Sequence, residues 1–188
     1  MVEHLPAPAP EELDALTALW EASVRATHGF LAPGDISFFR EMVRREALPG
    51  VNLYVIRETG GGAGKYGGFA AFAGTAGDML EMLFAAPEAR GKGLGRRLVE
   101  HAVQHSGVRR VDVNEQNTAA RGFYERLGFR VAGRDATDPS GKPYPILHME
   151  LGYALHKGIV PLPSPPDRGE VDLRADAAVT DTEKEKDV

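Results

Sequence analysis

The feature that most constrains this chain is a predicted apolar strand at 78–86, followed by a glycine-rich basic loop and a predicted helix at 94–105. The loop, residues 90–95, reads RGKGLG. Glycines allow a tight turn, and the first amides of a helix lack partners within it, so the junction favours an anion. Basic side chains add positive charge, and we predict a pyrophosphate site. The predicted contacts are Arg90, Gly91, Lys92, Gly93, Leu94, Gly95 and Arg96.

Two other glycine patterns are not predicted to bind phosphate. Thr59 and Tyr66 stand where the mononucleotide P-loop needs glycine and serine or threonine. Gly62, Gly64 and Gly67 have the spacing of the dinucleotide fingerprint, but they lie between two predicted strands and open no helix. We therefore predict a hairpin turn at these glycines.

Hydrophobic periodicity divides most of the chain into helices and strands. Two amphipathic helices come first, a strand hairpin follows, and strands then alternate with helices. This order predicts a mixed α/β sheet with helices on both faces. The predicted helices are 10–28, 35–46, 94–105 and 118–127, and the predicted strands are 52–57, 67–74, 78–86, 108–114, 129–134 and 146–151.

Composition narrows the classes of partner. The chain has 188 residues, 22 basic and 27 acidic side chains, and a formal charge of −5. Because neutralising phosphates needs a basic surface, we expect no nucleic-acid partner. The lack of cysteine excludes disulfides and a thiol nucleophile. The chain has neither an apolar run as long as a membrane span nor a signal-peptide pattern, so we expect no membrane contact and a cytoplasmic location.

We predict one domain over 1–155 and a tail over 156–188. The tail has four prolines between 161 and 166, and from residue 157 onward it has 5 basic and 8 acidic side chains, a net charge of −3. Such a composition buries too little apolar area to offset the entropy lost on ordering, so we expect a mobile tail. The alternative is a segment docked on a partner subunit through Ile159, Val160 and Leu162.

A second block, residues 113–129, reads VNEQNTAARGFYERLGF. Together with RGKGLG, it resembles the GNAT superfamily of acyl-CoA-dependent N-acetyltransferases, whose patterns are Q/R-x-x-G-x-G/A and V-N-x-x-N-x-x-A-x-x-F-Y-x-x-x-G-F. The segments ATHGFL at 26–31 and GKPYP at 141–145 are similar to the YjaB-type bacterial branch of that superfamily. The resemblance covers residues from about 5 to 152, and the tail has no counterpart.

The resemblance implies a mixed, mostly antiparallel twisted sheet in which two central parallel strands, 78–86 and 108–114, splay apart in a V. It implies acetyl-CoA as co-substrate and no metal. The pantetheine arm would enter the V, where its amides could complete the sheet as an added strand does. The further contacts that it implies are Leu83, Phe84, Ala85, Asn117, Phe123 and Tyr124.

Three residues are candidates for the chemistry. The resemblance implies that Tyr124 protonates the departing sulfur, and a phenol with a pKa of about 10 keeps its proton at neutral pH. A lysine-like amine also needs a base. Glu81, within an apolar strand, and His28, in the turn after the first helix, are both candidates, and a water chain is a third.

The acceptor pocket is expected between the first two helices, their loop at 28–35 and the loop at 135–145. Candidate lining aromatics are Phe30, Phe38, Phe39 and Tyr144. Helical spacing favours a core position for Phe38 and Phe39. The sequence leaves open whether the acceptor is a small-molecule amine or a protein lysine.

Without a cysteine nucleophile, direct attack of the amine within a ternary complex is the simpler route of acetyl transfer. The alternative function is a non-catalytic sensor module that binds acyl-CoA without turnover. A homodimer is left open, since nothing in the sequence decides the oligomeric state.

Overall fold

The computed structural model describes residues 1–58 and 64–152, within which seven strands form one sheet flanked by four α-helices. The strands are β1 Glu3–Leu5, β2 Asn52–Arg57, β3 Phe69–Ala76, β4 Met79–Ala85, β5 Arg110–Asn114, β6 Phe129–Asp135 and β7 Ile146–Leu151. The α-helices are α1 Pro10–Thr27, α2 Pro33–Met42, α3 Leu94–Ser106 and α4 Thr118–Arg126. The predicted tail at 156–188 and most of the predicted glycine turn lie outside these residues.

The predicted mixed sheet with helices on both faces is confirmed. Its strand order is β1-β2-β3-β4-β5-β7-β6, and every neighbouring pair is antiparallel except β4 and β5. Two details differ from the sequence prediction. The three residues of β1, which pair with β2, are too few to show a periodicity. The second helix begins at Pro33, a favoured first-turn residue, and a π-helical turn, Val43–Ala47, continues it after Met42.

The two central parallel strands separate almost at once, as predicted. β4 and β5 pair only through Met79 with Arg110 and through Leu80 with Val111. Beyond Leu80, the edge of β4 that faces β5 has no strand partner. Backbone amides and carbonyls on that edge are therefore available to a ligand.

A β-bulge in β4 stands where the two strands part. Leu80 pairs with Thr75 and Met82 pairs with Gly74, so Glu81 is an extra residue with no partner in β3. An extra residue shifts the alternation of side chains between the faces of a sheet. Leu80 accordingly packs in the core beneath α3, whereas Met82 packs in the core beneath α1.

The sheet has an apolar core on each face. One lies beneath α1 and α2, and the other beneath α3 and α4. Central members of the first are Leu16, Leu19, Trp20, Leu53, Phe69 and Phe72, and central members of the second are Leu80, Leu98, Val99, Val111, Phe129 and Met149. Both helical layers are thus held to one rigid sheet, which positions the ends of α1, α3 and α4.

The prediction that Phe38 lies in the core is wrong. Its side chain is 50% exposed, while the neighbouring Phe39 packs against the core beneath α1. Only Ile36 in α2 is buried, because this helix packs mainly against α1 and the π-helical turn and presents a narrow apolar stripe. Adjacent residues on a helix point about 100° apart, so a narrow stripe accommodates one of the two rings.

His148 lies on the open face of β7, opposite the buried Leu147 and Met149, as alternation along the strand predicts. Its Nδ1 is 2.8 Å from Asp112 on β5, and its Nε2 is 3.1 Å from Asp135 on β6. The hydrogen bond with Asp112, and then that with Asp135, raise the pKa of His148. Protonated His148 therefore links three strands.

We predict that Gly74→Ala destabilises the fold, because its Cβ would lie 2.6 Å from Cγ2 of Val51. Overpacking of this kind costs about 1–3 kcal/mol, which urea unfolding can measure. The double variant Val51→Ala/Gly74→Ala should recover most of the loss, because it removes the obstructing methyl groups. Val51→Ala alone is the control. An unchanged unfolding midpoint in Gly74→Ala would contradict this close packing.

We also predict that His148 stabilises the protein at mildly acidic pH. Because its folded pKa lies above its unfolded value, its contribution is fully present below the unfolded pKa and is lost as pH rises through the folded pKa. The difference in melting temperature between the wild type and His148→Gln should therefore be largest near pH 5.5 and smallest near pH 8.5. A difference that grows with pH would refute this assignment.

Candidate active site

A cleft of about 510 Å³ lies along the part of β4 that has no partner in β5. The last turn of α1, the loop before α3, the first turn of α3 and α4 complete its walls. The lining residues are Ser23, Thr27, His28, Leu83, Phe84, Ala85, Ala89, Arg90, Gly91, Gly93, Leu94, Gly95, Arg96, Asn117, Ala119, Ala120, Phe123, Tyr124 and Arg126. The cleft brings together every predicted cofactor contact except Lys92.

One end of the cleft is the start of α3. Gly91 and Gly93 both have φ of +75°, in the left-handed region that favours glycine. A Cβ at either position would have nothing within 4 Å. Glycine is therefore favoured by the backbone conformation and not by a lack of space. No side chain caps α3, and the amide of Arg97 donates to the carbonyl of Gly93 at 3.1 Å. The amides of 94–96 lack such a partner within the helix, which favours an anion there.

Positive charge surrounds this end of the cleft. Arg90 and Arg96 line it from the α3 side, and Arg126 lines it from α4. Arg96 also pairs with Glu100 at 2.6 Å, whereas neither Arg90 nor Arg126 forms an ion pair within the described parts of the chain. Two guanidinium groups are thus available for phosphate oxygens.

Tyr124, on α4, is buried and is one of the residues that line the cleft. Its ring packs edge-on against Phe123 and Phe129, with centroids 5.0 and 5.6 Å away. Its hydroxyl forms no hydrogen bond within residues 1–58 and 64–152. Burial raises the pKa of Tyr124, so the phenol remains protonated. An O–H group without a partner in a cleft is suited to donate to a ligand.

Hydrogen bonds determine which tautomer His28 adopts. The Thr27 hydroxyl donates its one proton to the carbonyl of Ser23 at 2.7 Å, so its oxygen accepts from Nδ1 of His28, also at 2.7 Å. The lone pair of His28 is therefore on Nε2. Asn117 caps α4 by accepting the amide of Ala120 at 3.1 Å, which turns its own Nδ2 towards Nε2 of His28, 3.4 Å away.

The surroundings of His28 favour its neutral form. Burial lowers its pKa, and the charge of Arg90 lowers it further, although the backbone hydrogen bond with Val24 acts in the opposite direction. A neutral imidazole with a lone pair on Nε2 can accept a proton at neutral pH.

Two predicted residues lie outside the lining of the cleft. Lys92 is exposed at the tip of the loop, between the two left-handed glycines. Glu81 is exposed at the bulge where β4 and β5 part. The irregular pairing at this bulge is a tertiary property, so the strand pattern in the sequence could not predict the direction of Glu81.

The sequence prediction did not include six lining residues: Ser23, Thr27, Ala89, Ala119, Ala120 and Arg126. Helical spacing could have found several of them. Ala119 and Arg126 lie four residues before and three residues after Phe123, on one face of α4. Thr27 follows Ser23 by one turn at the end of α1.

Aromatic rings continue from His28 towards the loop before β7. The Phe30 ring is 5.3 Å from the His28 ring and 6.1 Å from the Tyr144 ring, measured between centroids. Phe30 and Tyr144 therefore lie together where the sequence predicts the acceptor pocket.

Comparison with known proteins gives the family. A model described as "Acetyltransferase (GNAT) domain" matches residues 49–131. The chain is 39% identical over 140 residues to the peptidyl-lysine N-acetyltransferase YjaB of Salmonella typhimurium, covering 74% of this chain and 91% of that protein. Against YjaB of Escherichia coli it is 40% identical over 140 residues, covering 74% and 90%.

The solution structure of apo YjaB from Escherichia coli matches with a TM-score of 0.69 and 35% identity, covering 82% of this chain and 98% of that chain. An acetyltransferase-type fold thus carries a cleft in which an uncapped helix start lies beside a phenol that has no partner in the described residues. The chain belongs to the GNAT family of N-acetyltransferases, which makes it an acyltransferase.

Within 1–58 and 64–152, no group of three or more His, Asp or Glu side chains could hold a metal ion. None of the helices in these two segments is long and apolar enough to cross a membrane.

The pairing of Asn117 with His28 predicts a specific titration behaviour. In the wild type, the NMR titration midpoint of His28 should lie below that of an ordinary histidine. Asn117→Asp preserves the cap of α4 but places a carboxylate beside Nε2, so the midpoint should rise. Asn117→Ala should instead destabilise the protein by about 1 kcal/mol through the lost cap.

The His28→Gln spectrum identifies the resonance that belongs to His28. A wild-type midpoint above the ordinary value, or no rise in Asn117→Asp, would contradict the arrangement of these two side chains.

Proposed function

We propose that this chain transfers the acetyl group of acetyl-CoA to a lysine side chain of a protein, by direct attack of the amine within a ternary complex. The observation that carries this proposal is the cleft, which joins an uncapped helix start, an unpartnered phenol and a neutral imidazole. The names of the YjaB relatives support peptidyl lysine as the acceptor in preference to a small-molecule amine.

The residues of the cleft fit coenzyme A by their chemistry. The pyrophosphate would be bound by the amides at the start of α3 and by Arg90 and Arg96, with the loop glycines giving the backbone its turn. The pantetheine amides would pair with the free edge of β4 at Leu83, Phe84 and Ala85, and Asn117 and Phe123 would flank them. Arg126 adds a third cation that suits a phosphate. Lys92 would contribute only long-range attraction from the loop tip.

We assign Tyr124 as the group that donates to the sulfur as it acquires negative charge. Its hydroxyl has no competing partner in the described residues, and its raised pKa keeps it protonated until that step. Acetyl-CoA would supply the acetyl group that is transferred. The contribution of the protein is a positioned proton donor, which typically gives a rate factor of about 10²–10⁴.

We assign His28 as the base that takes the proton of the amine. It lines the cleft, and its lowered pKa keeps it neutral. Its lone pair is on Nε2, 3.4 Å from Asn117 Nδ2, so the amine would replace Asn117 as the partner of Nε2 when it binds. Glu81 is the alternative base. It stands exposed where β4 and β5 part and lies outside the lining, so it would have to act through water.

The test of this proposal measures thiol release from acetyl-CoA with lysine peptides, polyamines and small amines as acceptors. Because the chain has no cysteine, it adds no background to a thiol dye. We expect release that depends on a lysine peptide, together with an acetyl group on the lysine side chain in mass spectra. Melting temperature measured with acetyl-CoA reports binding separately from turnover.

We predict that Tyr124→Phe lowers kcat by about 100-fold or more while the KM for acetyl-CoA changes little, since it loses only a proton donor. Tyr66→Phe is the matched control, because Tyr66 is also a buried tyrosine whose hydroxyl lacks a partner, but it lies outside the cleft. The control should retain full activity.

Three outcomes would change the proposal. If acetyl-CoA raises the melting temperature but no acceptor is acetylated, the sensor function replaces the enzyme. If only polyamines or small amines are acetylated, the acceptor class is wrong. If acetyl-CoA does not bind, the roles assigned to the cleft residues are wrong.

A further inference from the structure

The loop that precedes β7 is tied to the start of α2 by one carboxylate. Asp35, in the first turn of α2, accepts a hydrogen bond from Lys142 Nζ at 2.7 Å and another from the Tyr144 hydroxyl. The Tyr144 oxygen in turn accepts the amide of Ala32 at 3.3 Å. These contacts join segments more than 100 residues apart in the chain.

The cluster is more enclosed than an ordinary surface ion pair. The side chains of Asp35 and Lys142 are 22% and 30% exposed, and Tyr144 is buried. Lys142 Nζ also lies 5.1 Å from the centroid of the Phe38 ring, within cation–π range. The hydrogen bond with Lys142, and then that with Tyr144, lower the pKa of Asp35, so this carboxyl is ionised at neutral pH.

The loop is held by its own turn and by a second anchor. The Asp138 carboxylate accepts the amides of Ser140 and Lys142 at 2.9 and 2.8 Å, which fixes the turn before Lys142. Beyond Tyr144, the carbonyl of Pro145 accepts the amide of Glu115 at 2.8 Å. Tyr144 is therefore fixed from both sides along the chain.

This cluster is one aromatic ring away from the cleft. Tyr144 contacts Phe30, and Phe30 contacts His28, which lines the cleft. No residue of the cluster lines the cleft itself. Any effect on acetyl transfer must therefore act through the position of Phe30 and His28, not through contact with coenzyme A.

We propose that Asp35, Lys142 and Tyr144 form an acceptor clasp, in which Asp35 is a positioning residue that holds the Phe30 and Tyr144 rings as a wall beside His28. This inference rests on the proposed function and adds to it the residues that place the acceptor. Because Lys142 neutralises Asp35, the wall is aromatic and without net charge. Such a wall suits the aliphatic stem of a lysine, whose methylenes pack on apolar surface.

We expect the clasp to affect the KM for the lysine peptide and not the KM for acetyl-CoA. Asp35→Asn and Lys142→Met should each raise the KM for a lysine peptide by about tenfold and leave the KM for acetyl-CoA unchanged, since misplacing a positioning group by a fraction of an ångström weakens one substrate site only. The double variant should be no worse than Asp35→Asn alone, because both changes break the same contact. Lys142→Arg keeps the ion pair and should retain the wild-type KM.

The matched control is Asp78→Asn, which removes an ion pair between Asp78 and Arg110 at the β3–β4 turn. It should leave both KM values unchanged. Melting temperatures of all variants show whether they fold.

The clasp is refuted if both KM values rise together, if neither changes, if the two single effects add in the double variant, or if Asp78→Asn behaves like Asp35→Asn. A wild-type protein that acetylates no lysine peptide refutes the proposed function instead. The two failures are therefore distinguishable.

Discussion

The parting of β4 and β5 after only two residue pairs is the constraint on which the site depends. Had the two strands stayed paired, their backbone groups would be satisfied by each other, and no cleft could form between the helices that follow them. Because they separate, the free edge of β4 becomes a binding surface. The starts of α3 and α4, which follow these strands, then face one cleft from its two sides.

The bulge at Glu81 decides which side chains face which core. It turns Leu80 to the α3 face and Met82 to the α1 face, so β4 connects both cores at the position where it leaves β5. The bulge also turns Glu81 out of the cleft lining. We therefore place the proposed proton acceptor at His28, just after α1, and not on the central strand.

The charge of the site changes along its length, from a cationic end at α3 to neutral groups in the middle and a neutralised ion pair beyond them. The start of α3 and its arginines form a cationic end, where an anion gains from both the helix dipole and the guanidinium groups. Tyr124 and His28, in the more enclosed part, are both neutral because burial disfavours their charged forms. Beyond them, Asp35 and Lys142 cancel one another beside an aromatic wall.

The sequence by itself determined the features that depend on neighbours in the chain: most helix and strand positions, the glycine-rich basic loop at 90–95 and the family. These rest on local dihedral preferences, helix ends and periodicity. Only the tertiary structure decided the contact of Asn117 with His28, 89 residues away, and of Lys142 with Asp35, 107 residues away. It also decided the outward direction of Glu81 and the exposure of Phe38. Such contacts depend on how strands pair and helices pack, and no short-range pattern in the sequence encodes that geometry.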